Sequence, residues 1–260
     1  MRLLSSFSLG ALIGVLGGLI GLGGAEFRLP ALVGFFKFKT IHAVMINLAV
    51  SLVTVCFSFL FRSAIIPYSE VWAQWPVIVN LLAGSLTGSY IGVHFATRLN
   101  EKNLNRLVMI FLILLGLTLL FHGILFAHAT AIDVSPVLRM FLGALAGVII
   151  GMFSSMLGVA GGELIIPTLL FLFAVDIKLA GSLSLAISIP TIIIGLSKYR
   201  SQEPFQIVRQ EGKFIAVMAV GSILGSFAGS HLLQGLSGEL IKTFLGLILL
   251  ISAVKLFCRK

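Results

Sequence analysis

Two glutamates, Glu26 and Glu163, directly follow clusters of glycines inside otherwise apolar stretches of the sequence. The first lies in GLGGAEFRLP at residues 21–30 and the second in GVAGGELIIP at residues 158–167. A carboxylate at membrane depth is costly and marks an ion pathway or a proton relay. Alternatively, an acidic residue in the first turn of a helix complements the helix dipole without any further role. We favour the functional interpretation, because Ser or Asn would cap a helix at a lower desolvation cost.

One arginine and several uncharged polar side chains accompany the glutamates. Arg28 carries a planar fork of donors that suits an oxyanion, and its counterpart in the second stretch is Ile165. Arg28 could instead snorkel to the cytoplasmic surface or pair with a glutamate. The next apolar stretch carries polar residues four positions apart, hence on one helical face. They either bind a substrate or hold helices together, and they are Asn47 with Ser51 and Ser184 with Ser188.

Two histidines, His94 and His231, occupy equivalent positions near the ends of later apolar stretches. Histidine changes charge near neutral pH, so both are candidates for proton coupling, although a satisfied histidine at the membrane interface is the favoured alternative. The sequence contains no HExxH, CxxC or nucleophile-elbow motif and no P-loop lysine. We therefore expect no enzyme, no metal and no cofactor, and transport driven by an ion gradient or by the substrate's own gradient.

The elements that must position these groups are membrane helices. Of the 260 residues, 58% are apolar and 10% are charged, whereas soluble domains carry about 25% charged residues. Nearly all of the charge-free runs reach the roughly 18–20 residues that cross a bilayer as helix, and they cover 3–25, 40–61, 71–97, 107–132, 140–162, 179–197 and 214–238. The net charge of +9 does not indicate a nucleic-acid partner, because the bases lie in short connections between these runs. The fold class predicted is an all-α integral membrane protein.

The chain is a duplication. Residues 21–120 align without a gap on residues 158–257 at an offset of 137, which pairs Glu26 with Glu163 and His94 with His231. Upstream, Gly10 and Gly14 match Gly143 and Gly147 at an offset of 133, which predicts four extra residues in the second half, about one helical turn. Repeat 1 is predicted at 1–126, a linker at 127–137 and repeat 2 at 138–260. Each repeat has one broken stretch (8–36; 138–175) and three plain spans (41–61, 72–97, 104–126; 177–197, 213–234, 240–257).

Glycines four residues apart on the second plain span of each repeat, the third apolar stretch, predict a close-packing helix face. They are Gly84, Gly88 and Gly92 in repeat 1, and Gly221, Gly225 and Gly229 in repeat 2. We assign this glycine ridge to structure, as an interface on which the halves could move.

The distribution of Lys and Arg distinguishes two topologies. If the broken stretches cross the membrane, the bases divide seven against ten, with no bias. If each broken stretch turns back as a re-entrant hairpin, the repeats are inverted and 13 bases share one side, against Arg62, Arg139, Lys178 and Lys242 opposite. The positive-inside rule favours the second topology, with both termini in the cytoplasm. Inverted repeats with broken helices are typical of secondary transporters with a midplane site, and helix N-termini at such a site suit a small anion.

The motifs GLGGAEFRLP, SSMLGVAGGELIIP and VDIKLAGSLSLAISIPT, with a duplicated layout over nearly the whole chain, resemble those of the TauE/SafE family, the sulfite exporter family. The resemblance implies export of sulfite or of organosulfonates such as sulfoacetate. It also implies that the paired motifs line the substrate path, which involves Gly23, Gly24, Glu26, Gly161, Gly162 and Glu163. Repeat 1 departs from the family pattern, because HAVMINLAV stands where a Gly-Thr-Ser type of run is usual and Asn47 replaces a serine.

We therefore predict a secondary transporter that exports a small sulfur oxyanion across the inner membrane by ion- or proton-coupled alternating access. The alternatives are a passive anion channel and a transporter of another small organic anion; a membrane-embedded enzyme is disfavoured because the glutamates lack His or metal-ligand partners. Expected partners are a small anion and the lipid bilayer, and a homo-oligomer is left open. The predicted substrate site comprises Gly23, Gly24, Ala25, Glu26, Arg28, Asn47, Ser51, Gly161, Gly162, Glu163, Ser184 and Ser188, with Glu26, Glu163, His94 and His231 as proton-coupling candidates.

Overall fold

The computed structural model of the chain describes residues 2–100, 135–202 and 205–232, with isolated helical residues between 102 and 117. Over these ranges every regular element is an α-helix, which confirms the all-α prediction. The helices are α1 (Arg2–Ile20), α2 (Ala25–Gly34), α3 (Thr40–Arg62), α4 (Tyr68–Ala73), α5 (Trp75–Arg98), α6 (Pro136–Leu157), α7 (Gly162–Phe173), α8 (Ile177–Tyr199), α9 (Gln206–Gln210) and α10 (Gly212–Leu232).

Six of the described helices are long and apolar enough to cross a membrane, namely α1, α3, α5, α6, α8 and α10. The chain is accordingly a multi-pass membrane protein. The predicted spans 41–61, 177–197 and 213–234 are the single helices α3, α8 and α10, whereas 72–97 begins in the short α4 and continues as α5. A proline in the first turn of α5 favours this restart, because its missing N–H has no helical partner there. The predicted spans 104–126 and 240–257 lie largely or wholly outside the described residues.

The two broken stretches form hairpins with one long and one short arm. In repeat 1, α1 has 19 residues and α2 has 10, which correspond to about 28 Å and about 15 Å of helix. Arg2, at the start of α1, lies 5.1 Å from the ring of Phe214, and Phe36, just after α2, lies 4.8 Å from the same ring. In repeat 2, the ring of Phe173 at the end of α7 packs against Gly143 near the start of α6. Each hairpin therefore returns towards the end at which it began.

The glycine ridge packs one repeat against the other. A Cβ atom added to Gly84 would overlap the carbonyl oxygen of Ala144, so the backbones of α5 and α6 are in direct contact. The same contact recurs at the equivalent positions of the duplication, where Gly221 meets the carbonyl oxygen of Phe7 and joins α10 to α1. The predicted role of the ridge as a close-packing face is thus confirmed. In each case the ridge of one repeat packs on the first helix of the other repeat.

The two clusters of glycines, residues 21–24 and 158–162, are called the glycine segments below. The prediction of four extra residues upstream of the second glycine segment is wrong. Gly10 packs against the carbonyl of Met218 and Gly147 against the carbonyl of Leu81, and Met218 is the equivalent of Leu81 in the gap-free alignment of the repeats. The offset of 137 therefore continues through α1 and α6, which pairs Gly10 with Gly147. Glycine recurs every four positions in both helices, so a shift of one turn produces nearly as many matches and misleads a comparison of letters alone.

Candidate functional site

The two glycine segments contact each other, and each packs on a span of the other repeat. Gly21 has φ +84° and faces Gly181 of α8, while Gly158 has φ +68° and faces Val44 of α3. A Cβ atom on either glycine would lie 2.6 Å from the facing carbonyl oxygen. Both positions therefore require glycine twice over, for the left-handed backbone and for the close approach.

Side chains hold the same segments across the repeats. The Asn47 Nδ2 donates to the carbonyl oxygens of Gly158 at 2.8 Å and of Ala25 at 2.7 Å. The Ser184 Oγ donates to the carbonyl oxygen of Gly21 at 2.6 Å. Asn47 and Ser184 are equivalent positions of the duplication, as are Gly21 and Gly158, so the two contacts are reciprocal. Such an exchange is typical of a two-fold relation between the halves.

Residues related by the duplication also face each other directly. A Cβ atom on Gly23 would lie 3.2 Å from the Cβ of Ala160. Glu26 and Glu163 interact electrostatically across the repeats. Both glutamates are buried, in the first turns of α2 and α7. The structure thus brings together two carboxyl groups that are equivalent in the duplication and lie in different halves of the sequence.

The oxygens of both carboxyl groups, those of Glu26 and Glu163, are buried and lack a hydrogen-bond partner among the described residues. Ionised carboxylates only accept hydrogen bonds, whereas a protonated carboxyl group also donates one. A bond between the two groups therefore needs one proton on the pair.

Arg28 is buried beside this pair and is held by α3. Its Nη1 donates to the Asn47 Oδ1 at 3.2 Å and to the Ser51 Oγ at 2.9 Å, and its Nη2 donates to the Thr54 Oγ1 at 3.2 Å. The Nε has no hydrogen-bond partner among the residues that the structure describes, and Arg28 interacts electrostatically with Glu26. Its complete burial excludes the alternative in which Arg28 snorkels to the cytoplasmic surface.

Repeat 2 uses the equivalent side chains differently. Ile165 stands in place of Arg28, and the Ser188 Oγ donates to the carbonyl oxygen of Ala160 at 2.6 Å. Its equivalent in repeat 1, Ser51, accepts a hydrogen bond from Arg28 instead. The polar side chains of repeat 2 therefore donate hydrogen bonds to backbone carbonyl groups, whereas those of repeat 1 also accept hydrogen bonds from a buried guanidinium.

The sequence places Arg62 among the bases at a membrane surface, whereas the structure buries its side chain. It is 1% exposed and donates to the carbonyl oxygens of Gly18 and Leu19 in the last turn of α1. Across the repeats it also reaches the carbonyl oxygen of Lys178 at 2.9 Å and the Ser182 Oγ at 3.2 Å. The count of exposed bases must therefore leave it out.

Tyr199 is the repeat equivalent of Arg62 and makes the equivalent contact. Its Oη donates to the carbonyl oxygen of Ser155 at 3.0 Å, in the last turn of α6. Gly18 and Ser155 are themselves equivalent positions of the duplication. The two side chains thus satisfy carbonyls that the helix ends leave unpaired. Pairing the last polar residue of each span with its repeat equivalent could have revealed both.

The histidines lie elsewhere. His94 and His231 are exposed, and the Nδ1 of His231 lies 2.9 Å from the carbonyl oxygen of Phe227 in its own helix. The remaining predicted site residues are buried at the meeting of the hairpins: Gly23, Gly24, Ala25, Gly161 and Gly162. No cluster of three or more potential metal ligands occurs in the described ranges.

A family model described as "Sulfite exporter TauE/SafE" matches residues 1–119 and 142–260. The matched segments contain both glycine segments and both glutamates. No curated protein and no solved structure matches the chain.

Proposed function

This chain belongs to the sulfite exporter TauE/SafE family of membrane transporters, and from that premise we propose that it exports a small sulfur oxyanion across the inner membrane. The proposed cargo is sulfite or an organosulfonate such as sulfoacetate, bound where the two hairpins meet. The observation that carries the proposal is the pair of buried glutamates Glu26 and Glu163, which interact across the repeats and each follow a glycine segment. An ionisable pair at such a position is typical of a coupled pathway and costly to keep for packing alone.

The ends of the short arms supply donors for an anion. α2 and α7 begin after Gly24 and Gly161, and neither helix start has a side-chain cap. Unpaired N–H groups and the positive end of the helix dipole suit an anion there. Arg28 adds a positive charge and a free Nε. The anion would therefore lie beside Glu26 and Glu163, which would bind and release the coupling protons.

The reciprocal contacts support an inverted arrangement of the repeats. Arg62, the last residue of α3, donates to the carbonyl of Lys178 near the start of α8, as expected if these equivalent helices run in opposite directions. At the other end of the molecule, Arg2 forms an ion pair with Glu211 at 3.1 Å. We assign that end to the cytoplasm, because it carries most of the bases.

A labelling experiment tests the orientation. Single cysteines at positions 38 and 178, in a variant whose Cys56 and Cys258 are replaced by serine, should react with an impermeant maleimide from opposite sides of the membrane. Reaction of both from one side would contradict the inverted arrangement.

A binding screen on the purified protein tests the substrate class. Sulfite, sulfoacetate, sulfate, taurine and carboxylate analogues would be added and the thermal unfolding midpoint measured. A ligand that binds only the folded state raises the free energy of unfolding, by about 2.7 kcal/mol at a hundred times its Kd. We expect sulfite and sulfoacetate to raise the midpoint, and stabilisation by carboxylates alone would contradict the proposed cargo.

A further inference from the structure

We propose that the site formed by Glu26, Glu163 and Arg28 takes up one proton with each anion and therefore selects anions that carry a single negative charge. The inference rests on the proposed function, because it concerns the anion that enters this same site. It adds the stoichiometry of coupling and a rule of selection that family membership does not supply.

Three charged side chains belong to the site. Arg28, Glu26 and Glu163 are buried where the hairpins meet. The charged groups that act on Glu26 are Glu163 and Arg28. The spans packed against the hairpins add uncharged polar side chains, namely Asn47, Ser51 and Thr54 from α3 and Ser184 and Ser188 from α8. The charge of the site is therefore set by one guanidinium and two carboxyl groups.

Before an anion binds, the site holds one proton on the glutamate pair. The two carboxyl groups are buried and interact with each other, and none of their four oxygens has a hydrogen-bond donor among the described residues. One proton shared between them supplies the missing donor and relieves the repulsion of two buried carboxylates. The remaining negative charge balances Arg28, so the resting site is neutral. Neutrality is the favoured state, because an uncompensated charge in a low-dielectric interior is very costly.

Binding of an anion changes the charge of the site. A monoanion brings one negative charge, and a second proton on the glutamate pair restores neutrality. The site then holds two protonated carboxyl groups, Arg28 and the anion. No further positive charge is available from these three residues. A dianion would leave one negative charge uncompensated, so the site should reject sulfate and should accept sulfoacetate with its carboxyl group protonated.

Two probes separate these cases cleanly. Methanesulfonate is a monoanion and sulfate a dianion near pH 7, and neither changes its own protonation there. Isothermal titration calorimetry in two buffers of different ionisation enthalpy gives the number of protons taken up per anion bound. We expect about one proton per methanesulfonate, and a Kd that rises about tenfold per pH unit where this uptake is complete. We expect no measurable binding of sulfate.

Single and double variants give a pattern that a merely structural role would not produce. In Glu26→Gln or Glu163→Gln, the remaining carboxylate balances Arg28 at rest, so each single variant should still take up about one proton. In the double variant the resting site carries the charge of Arg28 alone. It should bind methanesulfonate without proton uptake and with a Kd independent of pH. The double variant His94→Gln/His231→Gln, at two exposed titratable positions, is the matched control and should keep the uptake.

Failure of the inference is distinguishable from failure of the proposed function. If the wild-type protein binds methanesulfonate without proton uptake, or binds sulfate equally tightly, the inference is overturned while an anion transporter remains. If no sulfur oxyanion binds in the screen, the proposed function itself fails. The wild-type measurement decides the stoichiometry even if the double variant does not fold.

Discussion

The hairpins of the two repeats share a backbone arrangement and differ in the charge held beside it. In both, a glycine segment packs on a span of the other repeat, as Gly21 does on Gly181 and Gly158 on Val44. Only repeat 1 holds a buried cation in its hairpin, since Ile165 replaces Arg28 in repeat 2. The two features therefore have different roles. The contacts that both repeats share hold the hairpins in place, and Arg28, which has no charged equivalent in repeat 2, sets the charge of the site. Substitutions at equivalent positions can test this division.

The largest difference is expected between Arg28→Met and Ile165→Met. Loss of Arg28 removes the donor to Asn47, Ser51 and Thr54 and leaves the two glutamates without their cation. Breaking a buried charge network in this way costs about 3–5 kcal/mol, and anion binding should be lost. Ile165→Met conserves volume and should cost less than about 1.5 kcal/mol. Chemical unfolding in detergent micelles measures both. Equal stability and equal anion binding of the two variants would remove the asymmetry from our account.

The next largest effect should be symmetric. Gly21→Ala and Gly158→Ala each force a side chain into a left-handed backbone, at about 1–2 kcal/mol, and into a facing carbonyl, at about 1–3 kcal/mol. We expect each to lower the free energy of unfolding by about 2–5 kcal/mol and to do so similarly. Gly212→Ala is the control, because nothing lies within 4 Å of the added methyl group. A large effect in one repeat alone would show that the reciprocity is not energetic.

The gap-free alignment at an offset of 137 paired Glu26 with Glu163 as equivalent residues. It did not predict which groups contact each other, and the close approach of Gly23 to Ala160 across the repeats is seen only in the structure. The hydrogen-bond partners of Arg28 could be predicted only in part, because Asn47 and Ser51 were candidate site residues and Thr54 was not. A threonine in an apolar span usually donates to a carbonyl of its own helix, and Thr54 also does so. Arg62 was misplaced because a base at a span end resembles a surface anchor. Only tertiary packing reveals that it is buried.

A smaller difference is expected between Arg62→Met and Tyr199→Phe. The first removes four hydrogen bonds donated by a buried guanidinium, two of them to α1 and two to α8. The second removes one bond to Ser155. Charged donors contribute about 1.5–3 kcal/mol and neutral ones about 1 kcal/mol, so Arg62→Met should cost more than about 3 kcal/mol and Tyr199→Phe about 1 kcal/mol. Thermal unfolding midpoints compare them, and an equal shift would mean that the bonds across the repeats contribute little.

The smallest effect is expected for Asn47→Ser, which gives repeat 1 the residue that repeat 2 has at position 184. Serine can replace only some of the bonds of Asn47, which joins Arg28, Ala25 and Gly158. The loss should be about 1–2 kcal/mol in the free energy of unfolding, with anion affinity reduced less than by Arg28→Met. An affinity loss as large as that of Arg28→Met would assign Asn47 to the anion instead of to the backbone.

The most direct test of the central claim, that Glu26 and Glu163 couple anion movement to protons, is the accumulation of methanesulfonate in proteoliposomes under an imposed pH gradient. We predict saturable uptake that follows the proton gradient in the wild-type protein. In Glu26→Gln/Glu163→Gln, uptake should only equilibrate the anion and should ignore the gradient. Gradient-driven accumulation by this double variant equal to that of the wild type would contradict the account. Wild-type uptake that neither saturates nor responds to the gradient would indicate a passive channel.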